Sequence, residues 1–136
     1  MNIAFTGTRR GMTEHQRDVF TRFLKGGNPY DVLIHGGCVG ADDEADQAAA
    51  TLKLYRIIYP AITNTELRIT HATLRGRGPC MFGMPRLPLE RNKDIVNEGA
   101  FLVACPKENT EILRSGTWAT VRYARKIGKR VTVILP

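Results

Sequence analysis

Three glycine-bearing turns hold the residues of this chain best suited to gripping an anion. They are Thr6-Gly7-Thr8-Arg9-Arg10-Gly11, Gly36-Gly37-Cys38-Val39-Gly40-Ala41-Asp42 and Ser115-Gly116-Thr117. Glycine permits a tight turn and lets a ligand approach the main-chain N–H groups. Each turn stands where a strand pattern gives way to a helix pattern. A helix start adds N–H donors without intrahelical partners and the positive end of the helix dipole. Several such turns along one sheet edge make a phosphate site.

The first turn offers the N–H groups of Gly7 and Thr8, a hydroxyl, and the guanidinium of Arg9. Arginine stays charged and grips phosphate through two parallel hydrogen bonds. The second turn runs through Gly36, Gly37 and Gly40 to Ala41 and Asp42. Its spacing is neither the Walker pattern nor the dinucleotide fingerprint. Asp42 has three open roles: accepting from a ribose hydroxyl, ordering a water, or capping its helix. The third turn places the hydroxyls of Ser115 and Thr117 on either side of Gly116. Trp118 beside it either stacks on a base or fills the core. Arg91, followed by Asn92, is the best anion-binding candidate outside the turns.

Catalytic signatures are thin. The chain has no H-E-x-x-H, no G-x-S-x-G and no metal-spaced cluster of His and Cys. His15, His35 and His71 are scattered. His35 precedes the second turn, so it either reaches the site or serves the structure. The three cysteines, Cys38, Cys80 and Cys105, suit neither a disulfide framework nor a C-x-x-C metal site. Cys38 at a helix start would have a lowered thiol pKa; otherwise it acts as a small hydrophobe.

The elements that must position these residues alternate. Strands are expected at Asn2–Gly7, Asp31–Gly36, Leu54–Tyr59, Ala100–Cys105 and Arg130–Leu135. Helices follow at Thr13 to Gly26, Gly40–Leu54, Leu89–Glu98 and Gly116–Ile127. Thr13 and Gln16 form a capping box. Ala41, Ala45, Ala48, Ala49 and Leu52 form a small-residue face, suited to packing on the sheet or to an interface. This alternation predicts an α/β fold: a Rossmann-like three-layer sandwich with a five-stranded parallel sheet in the order 3-2-1-4-5. Its switch point, between the first and fourth strands, sets the ligand at their carboxyl ends. The stretch 61–88 breaks the rhythm with Gly76, Gly78, Pro79, Gly83, Pro85 and Pro88. It is read either as a lid whose arginines close over an anion, or as a surface excursion with a short helix near Glu66–Leu74.

At 136 residues the chain is expected to form one domain, 1–136. Its 20 Lys and Arg against 13 Asp and Glu give a net charge of +7, which favours anionic partners. No apolar run approaches the roughly 18–20 residues that span a membrane. The N-terminus runs straight into a strand pattern without signal-peptide features, so a cytoplasmic setting is expected.

Four blocks together resemble the SLOG superfamily, the Rossmann-like group of the lonely-guy phosphoribohydrolases, YpsA-like proteins and DprA relatives. They are FTGTRRGMTEHQ at 5–16, HGGCVGADDEADQAA at 35–49, RN at 91–92 and SGTWATVRYARKIGKRV at 115–131. More narrowly, the chain resembles the short YspA-like SLOG proteins of phages and bacteria. The resemblance implies a nucleotide-derived ligand over the sheet's carboxyl edge. It carries Gly7, Thr8 and Arg9, then Gly36, Gly37, Gly40, Ala41 and Asp42, then Arg91 and Asn92, then Gly116 and Thr117 into the site. It also implies homo-oligomers, commonly dimers.

One departure changes the expectation. The phosphoribohydrolases carry P-G-G-x-G-T-x-x-E, whose glutamate acts on the glycosidic bond. Here Leu113-Arg114-Ser115 precedes the glycine, and Thr120 stands at the glutamate position. Losing such a carboxylate typically removes 10²–10⁴-fold of rate. Binding, to sense or sequester a nucleotide-like ligand without a further cofactor or metal, is therefore expected ahead of catalysis. Hydrolysis or transfer at a nucleotide's N-glycosidic or phosphoryl bond is the enzyme alternative, through Asp42, Asp43 or Glu90. Single-stranded nucleic-acid binding is the third reading; it would use the basic charge, but few aromatics accompany the arginines.

Overall fold

Alternating side chains along the first strand supply both faces of the core. The computed structural model describes residues 1–136. In β1 (Asn2–Gly7), Ile3 and Phe5 point to one face and Ala4 to the other. α1 (Glu14–Lys25), β2 (Val32–His35), α2 (Ala41–Thr51) and β3 (Tyr55–Ile58) follow. Phe20, Leu24, Ala41, Ala45 and Ala49 join Ile3, Phe5 and Leu33 in the core between the sheet and the first two helices. The alanine face of α2 is therefore spent inside the molecule. On the opposite face, Ile95, Val96, Trp118, Val121 and Ala124 pack on Ala4, Ile34, Leu102 and Ala104. The helical residues come from α4 (Pro88–Glu98) and α5 (Gly116–Lys126), and Leu102 and Ala104 from β5 (Phe101–Cys105); β6 (Val131–Val133) follows α5.

The sheet has six parallel strands, not five, in the order β4-β3-β2-β1-β5-β6, where β4 is Cys80–Phe82. The inner and far strands keep the expected 3-2-1-4-5 order. The addition is an edge strand, β4 (Cys80–Phe82), that pairs with β3 at Ile57↔Met81. Three residues between Pro79 and Gly83 are too few to show a period in sequence. The same stretch holds a 3₁₀ turn at Thr65–Leu67 and α3 (His71–Gly76), where the short helix was expected. Main-chain bonds tie it down: Val39 donates to Leu67 and Ile69 donates to Gly37, both at 2.8 Å.

A buried guanidinium secures this segment further. Arg56, in β3, has no exposed surface. Its Nε and Nη2 grip Asp46 at 2.9 and 3.3 Å, while Nη1 donates to Pro79 and Nη2 to Leu74. Residues 61–88 are thus held as a folded crossover. Arg77 pairs with Asp43 and Asp46, Arg86 with Glu90 and Asp94, and Arg75 lies over Phe82.

α1 begins as its sequence requires. Thr13 Oγ1 accepts from Gln16 N at 3.1 Å and Gln16 Oε1 from Thr13 N at 2.9 Å. Gln16 is fully buried, and its Nε2 donates to the carbonyls of Pro106 and Ile134, each at 2.8 Å. One residue therefore caps a helix and fastens the chain just beyond β5 and β6.

The second turn crosses the first at Gly40. A Cβ there would lie 2.2 Å from the Arg9 carbonyl oxygen, at a φ of +89°. Gly40→Ala combines a left-handed backbone with a clash against main chain, and is expected to destabilise the protein by at least about 2 kcal/mol. Gly116→Ala, with nothing within 4 Å, is the control. Equal denaturation midpoints for the two variants would contradict this account.

Candidate functional site

The carboxyl ends of β1, β2 and β5 surround a cleft of about 400 Å³ at the switch point between β1 and β5. All the residues expected at the site line it except Gly37, Gly40 and Ala41. Those three do packing work. Gly37 faces Ile58, Gly40 crosses Arg9, and Ala41 is fully buried against Gly7. Of the stretch 61–88 only Pro88, at the start of α4, lines the cleft; none of its arginines reaches it.

The second turn differs most from expectation. It was expected to present N–H groups to phosphate, yet nearly all of them are already bonded. Gly36 and Cys38 donate to Asp42 Oδ2, both at 3.2 Å, and Gly37 donates to His35 Nδ1 at 3.0 Å. Val39 N–H is taken by Leu67 and Ala41 N–H by Thr8, at 2.8 and 2.9 Å. Asp42 therefore closes its own preceding loop and makes no side-chain cap for its helix. His35 is structural: fully buried, it accepts at Nδ1, so Nε2 carries the proton donated to Asp46 at 2.8 Å.

Arg91 holds the same loop from the other side. Its Nη1 donates to the carbonyls of Gly36 (2.8 Å) and Tyr59 (3.1 Å), and its Nε to Asn92 (2.9 Å). Only Nη2 remains, in contact with Cys38 Sγ at 3.7 Å. Arg91 is buried, yet it forms no salt bridge. A buried cation without an ion pair favours an anion beside it.

The third turn leaves its donors open. Ser115 Oγ accepts from Trp118 N at 3.1 Å, and its carbonyl accepts from Ala119 N at 2.9 Å. The N–H groups of Gly116 and Thr117, at the start of α5, have no such partners. Trp118 is 5% exposed and belongs to the core, so it is not a stacking platform. Thr120, at the glutamate position, is buried and donates its hydroxyl to the Gly116 carbonyl at 2.8 Å.

Four charged lining residues lay outside the expected site: Arg10, Lys107, Glu108 and Arg114. Arg10 follows Arg9 in the first turn and was legible there. The others come from 106–115, which has no periodicity to place it. With Arg9 and Arg91, the cleft gathers five cationic side chains against the two carboxylates of Asp42 and Glu108. Neither Asp43 nor Glu90 reaches it.

Burial pushes the Asp42 carboxyl above its ordinary range, against the pull of His35, Arg91 and two N–H groups. Burial and the adjacent Asp42 likewise push the Cys38 thiol up, the reverse of the lowered value expected at a helix start. The helix begins only at Ala41, and Cys38's own N–H is turned to a carboxylate. Burial drives Cys105 up to about 12. No group of three metal-ligating side chains is present, and no helix is long and apolar enough to cross a membrane.

This architecture recurs in solved structures. DNA processing protein A (DprA) from Streptococcus pneumoniae superposes with a TM-score of 0.73 at 17% identity, over 97% of this chain and 49% of that one. The chain thus spans about half the length of that protein. The fold is the Rossmann-like fold of DprA. The molybdenum cofactor binding protein of Rippkaea orientalis superposes with a TM-score of 0.72 at 20% identity, over 99% of this chain and 76% of that one. The third is DprA from Helicobacter pylori, whose structure is described for its single-stranded DNA binding mode; the TM-score is 0.68 at 20% identity, over 98% of this chain and 64% of that one. No protein-family model matches the sequence, and no curated protein matches it. The Rossmann-like architecture expected from the sequence is the fold these structures share.

Proposed function

We propose that this is a cytoplasmic protein that binds a phosphorylated, nucleotide-like ligand in the cleft at the carboxyl edge, to sense or sequester it. One observation carries the reading: the open N–H groups of Gly116 and Thr117 share a cleft with Arg91, a buried guanidinium that has no salt bridge. A phosphate seated there would take main-chain donors from the α5 start and charge from Arg91 Nη2, Arg9 and Arg114. The alternative of single-stranded nucleic acid needs aromatic faces for bases to stack on. The only aromatic residue lining the cleft is Phe5, which is fully buried.

Calorimetry against nucleoside mono-, di- and triphosphates, inorganic pyrophosphate and an oligo-deoxynucleotide tests the proposal. Saturable binding of the small esters is expected. Arg9→Ala should weaken it about tenfold, the worth of one charge-assisted contact. Arg9 is exposed and makes no side-chain bond, so the fold should survive the change. Undiminished affinity in an Arg9→Ala, Arg114→Ala double variant would remove the proposed site. Oligonucleotide binding with a steep salt dependence, and none of the small esters, would favour the nucleic-acid reading. Chromatography for free base after incubation with nucleoside monophosphates separates turnover from binding.

A further inference from the structure

A carboxylate inside a cationic cleft is out of place if the cleft holds phosphate alone. Asp42 is 7% exposed and lines the cleft. Its Oδ2 is committed to the N–H groups of Gly36 and Cys38. No hydrogen bond reaches Oδ1, and this oxygen is not among the sealed, unpartnered polar atoms of the protein. Asp42 therefore keeps one fixed acceptor open to the cleft. The two N–H bonds hold the carboxyl plane, so the free oxygen has a set position. It would repel a phosphate placed against it. The group it addresses must be a hydrogen-bond donor on another part of the ligand.

The lining of the cleft narrows that donor. Only four of the twenty residues lining the cleft are hydrophobic, so it is built for a polar, hydroxyl-rich body rather than for the flat face of a base. We infer that Asp42 Oδ1 accepts from the hydroxyls of a sugar, and that the ligand is a sugar phosphate ester, free or within a nucleotide, selected through those hydroxyls. This rests on the reading of the cleft as a phosphate-ester site. Asp42 is then a specificity residue, and the second glycine turn, its N–H groups already committed, serves to aim it.

The test compares adenosine 5′-diphosphate with its 2′-deoxy and 2′,3′-dideoxy forms, alongside ribose 5-phosphate and inorganic pyrophosphate, by calorimetry. Wild type should bind the ribo form about tenfold or more tightly than the dideoxy form, the loss of one hydrogen bond to a charged acceptor. Asp42→Asn retains an oxygen for the two N–H groups, and its melting temperature reports whether the loop survives. It should collapse the preference for the ribo form. With a negative charge removed from a cationic cleft, it should also bind pyrophosphate more tightly, whereas simple loop damage would weaken every ligand. Equal wild-type affinity for the ribo and dideoxy forms overturns the inference and leaves the phosphate site standing. So does a preference that persists in Asp42→Asn. Failure of every ester and of pyrophosphate to bind overturns both. Ribose 5-phosphate binding as tightly as the nucleotide identifies the free sugar phosphate as the source of the recognised chemistry; weaker binding identifies the nucleotide.

Discussion

Asp46→Ala is expected to lower stability by about 3–5 kcal/mol, read as a shift in the urea or thermal midpoint. Domains of this kind have only about 5–15 kcal/mol in total, so this one substitution should remove between roughly a fifth and all of the margin. Asp46 has no exposed surface and takes four side-chain donors: His35 Nε2, Arg56 Nε and Nη2, and Arg77 Nη1. Removing it strands the fully buried guanidinium of Arg56 without a carboxylate. Replacing Asp46 and Arg56 together with Leu and Met should recover much of the loss, because the apolar pair leaves no buried charge. A single-variant loss below about 1 kcal/mol, the range of an exposed ion pair, would show that the network carries no such weight.

The same carboxylate fixes the sign of the acid response. Burial alone would raise the Asp46 carboxyl, but the hydrogen bonds from His35, Arg56 and Arg77 overwhelm it and hold it far below the ordinary carboxylate range. A depressed folded-state pKa gives stability that is present above the unfolded value and lost as pH falls below it. Asp42 has the opposite sign: its raised pKa makes protonation favour the folded state, an effect lost as pH rises through the folded value. Denaturation midpoints should therefore hold or rise slightly from neutral pH to about 5, then fall below about 4. Asp46→Asn should flatten that lower limb; an unchanged slope would assign acid lability to other groups.

This network also marks where sequence reasoning reached and where it stopped. The inner strands and the capping box at Thr13 and Gln16 were legible because each is a local pattern, either of apolar period or of paired cap residues. Asp46 and Arg56 were not read as partners, since only the packed β2-α2-β3 unit brings them together. Each still left a trace: an arginine in the strand Tyr55-Arg56-Ile57-Ile58, and an acid on the alanine face of a helix four residues after Asp42. A charge on a buried face calls for a counter-charge. The edge strand Cys80–Phe82 left no trace, because three residues carry no period and its pairing depends on Arg56 holding Leu74 and Pro79 in place. At the cleft, the glycine positions were legible and their duties were not. Whether a glycine N–H faces ligand or closes a loop depends on acceptors distant in sequence, here Asp42, His35, Leu67 and Thr8.

Gly116→Pro should separate the main-chain anion site from everything around it. Gly116 is the first residue of α5, a position that tolerates proline because its N–H lies outside the helix ladder. The preceding Ser115 has φ −99° and ψ 127°, the extended conformation proline prefers before it. Nothing lies within 4 Å of a Cβ at Gly116, so that atom of the ring has open space. The fold should hold or gain by up to about 1 kcal/mol from the stiffer unfolded chain. What disappears is one N–H aimed at the cleft. A charge-assisted bond contributes about 1.5–3 kcal/mol, so affinity for pyrophosphate or a nucleoside diphosphate should fall roughly 10- to 150-fold. Gly116→Ala keeps the N–H and should bind as wild type. The two variants differ chiefly in one donor. A matching loss in both would point to the loop's shape rather than its N–H, and full affinity in Gly116→Pro would move the phosphate away from the α5 start.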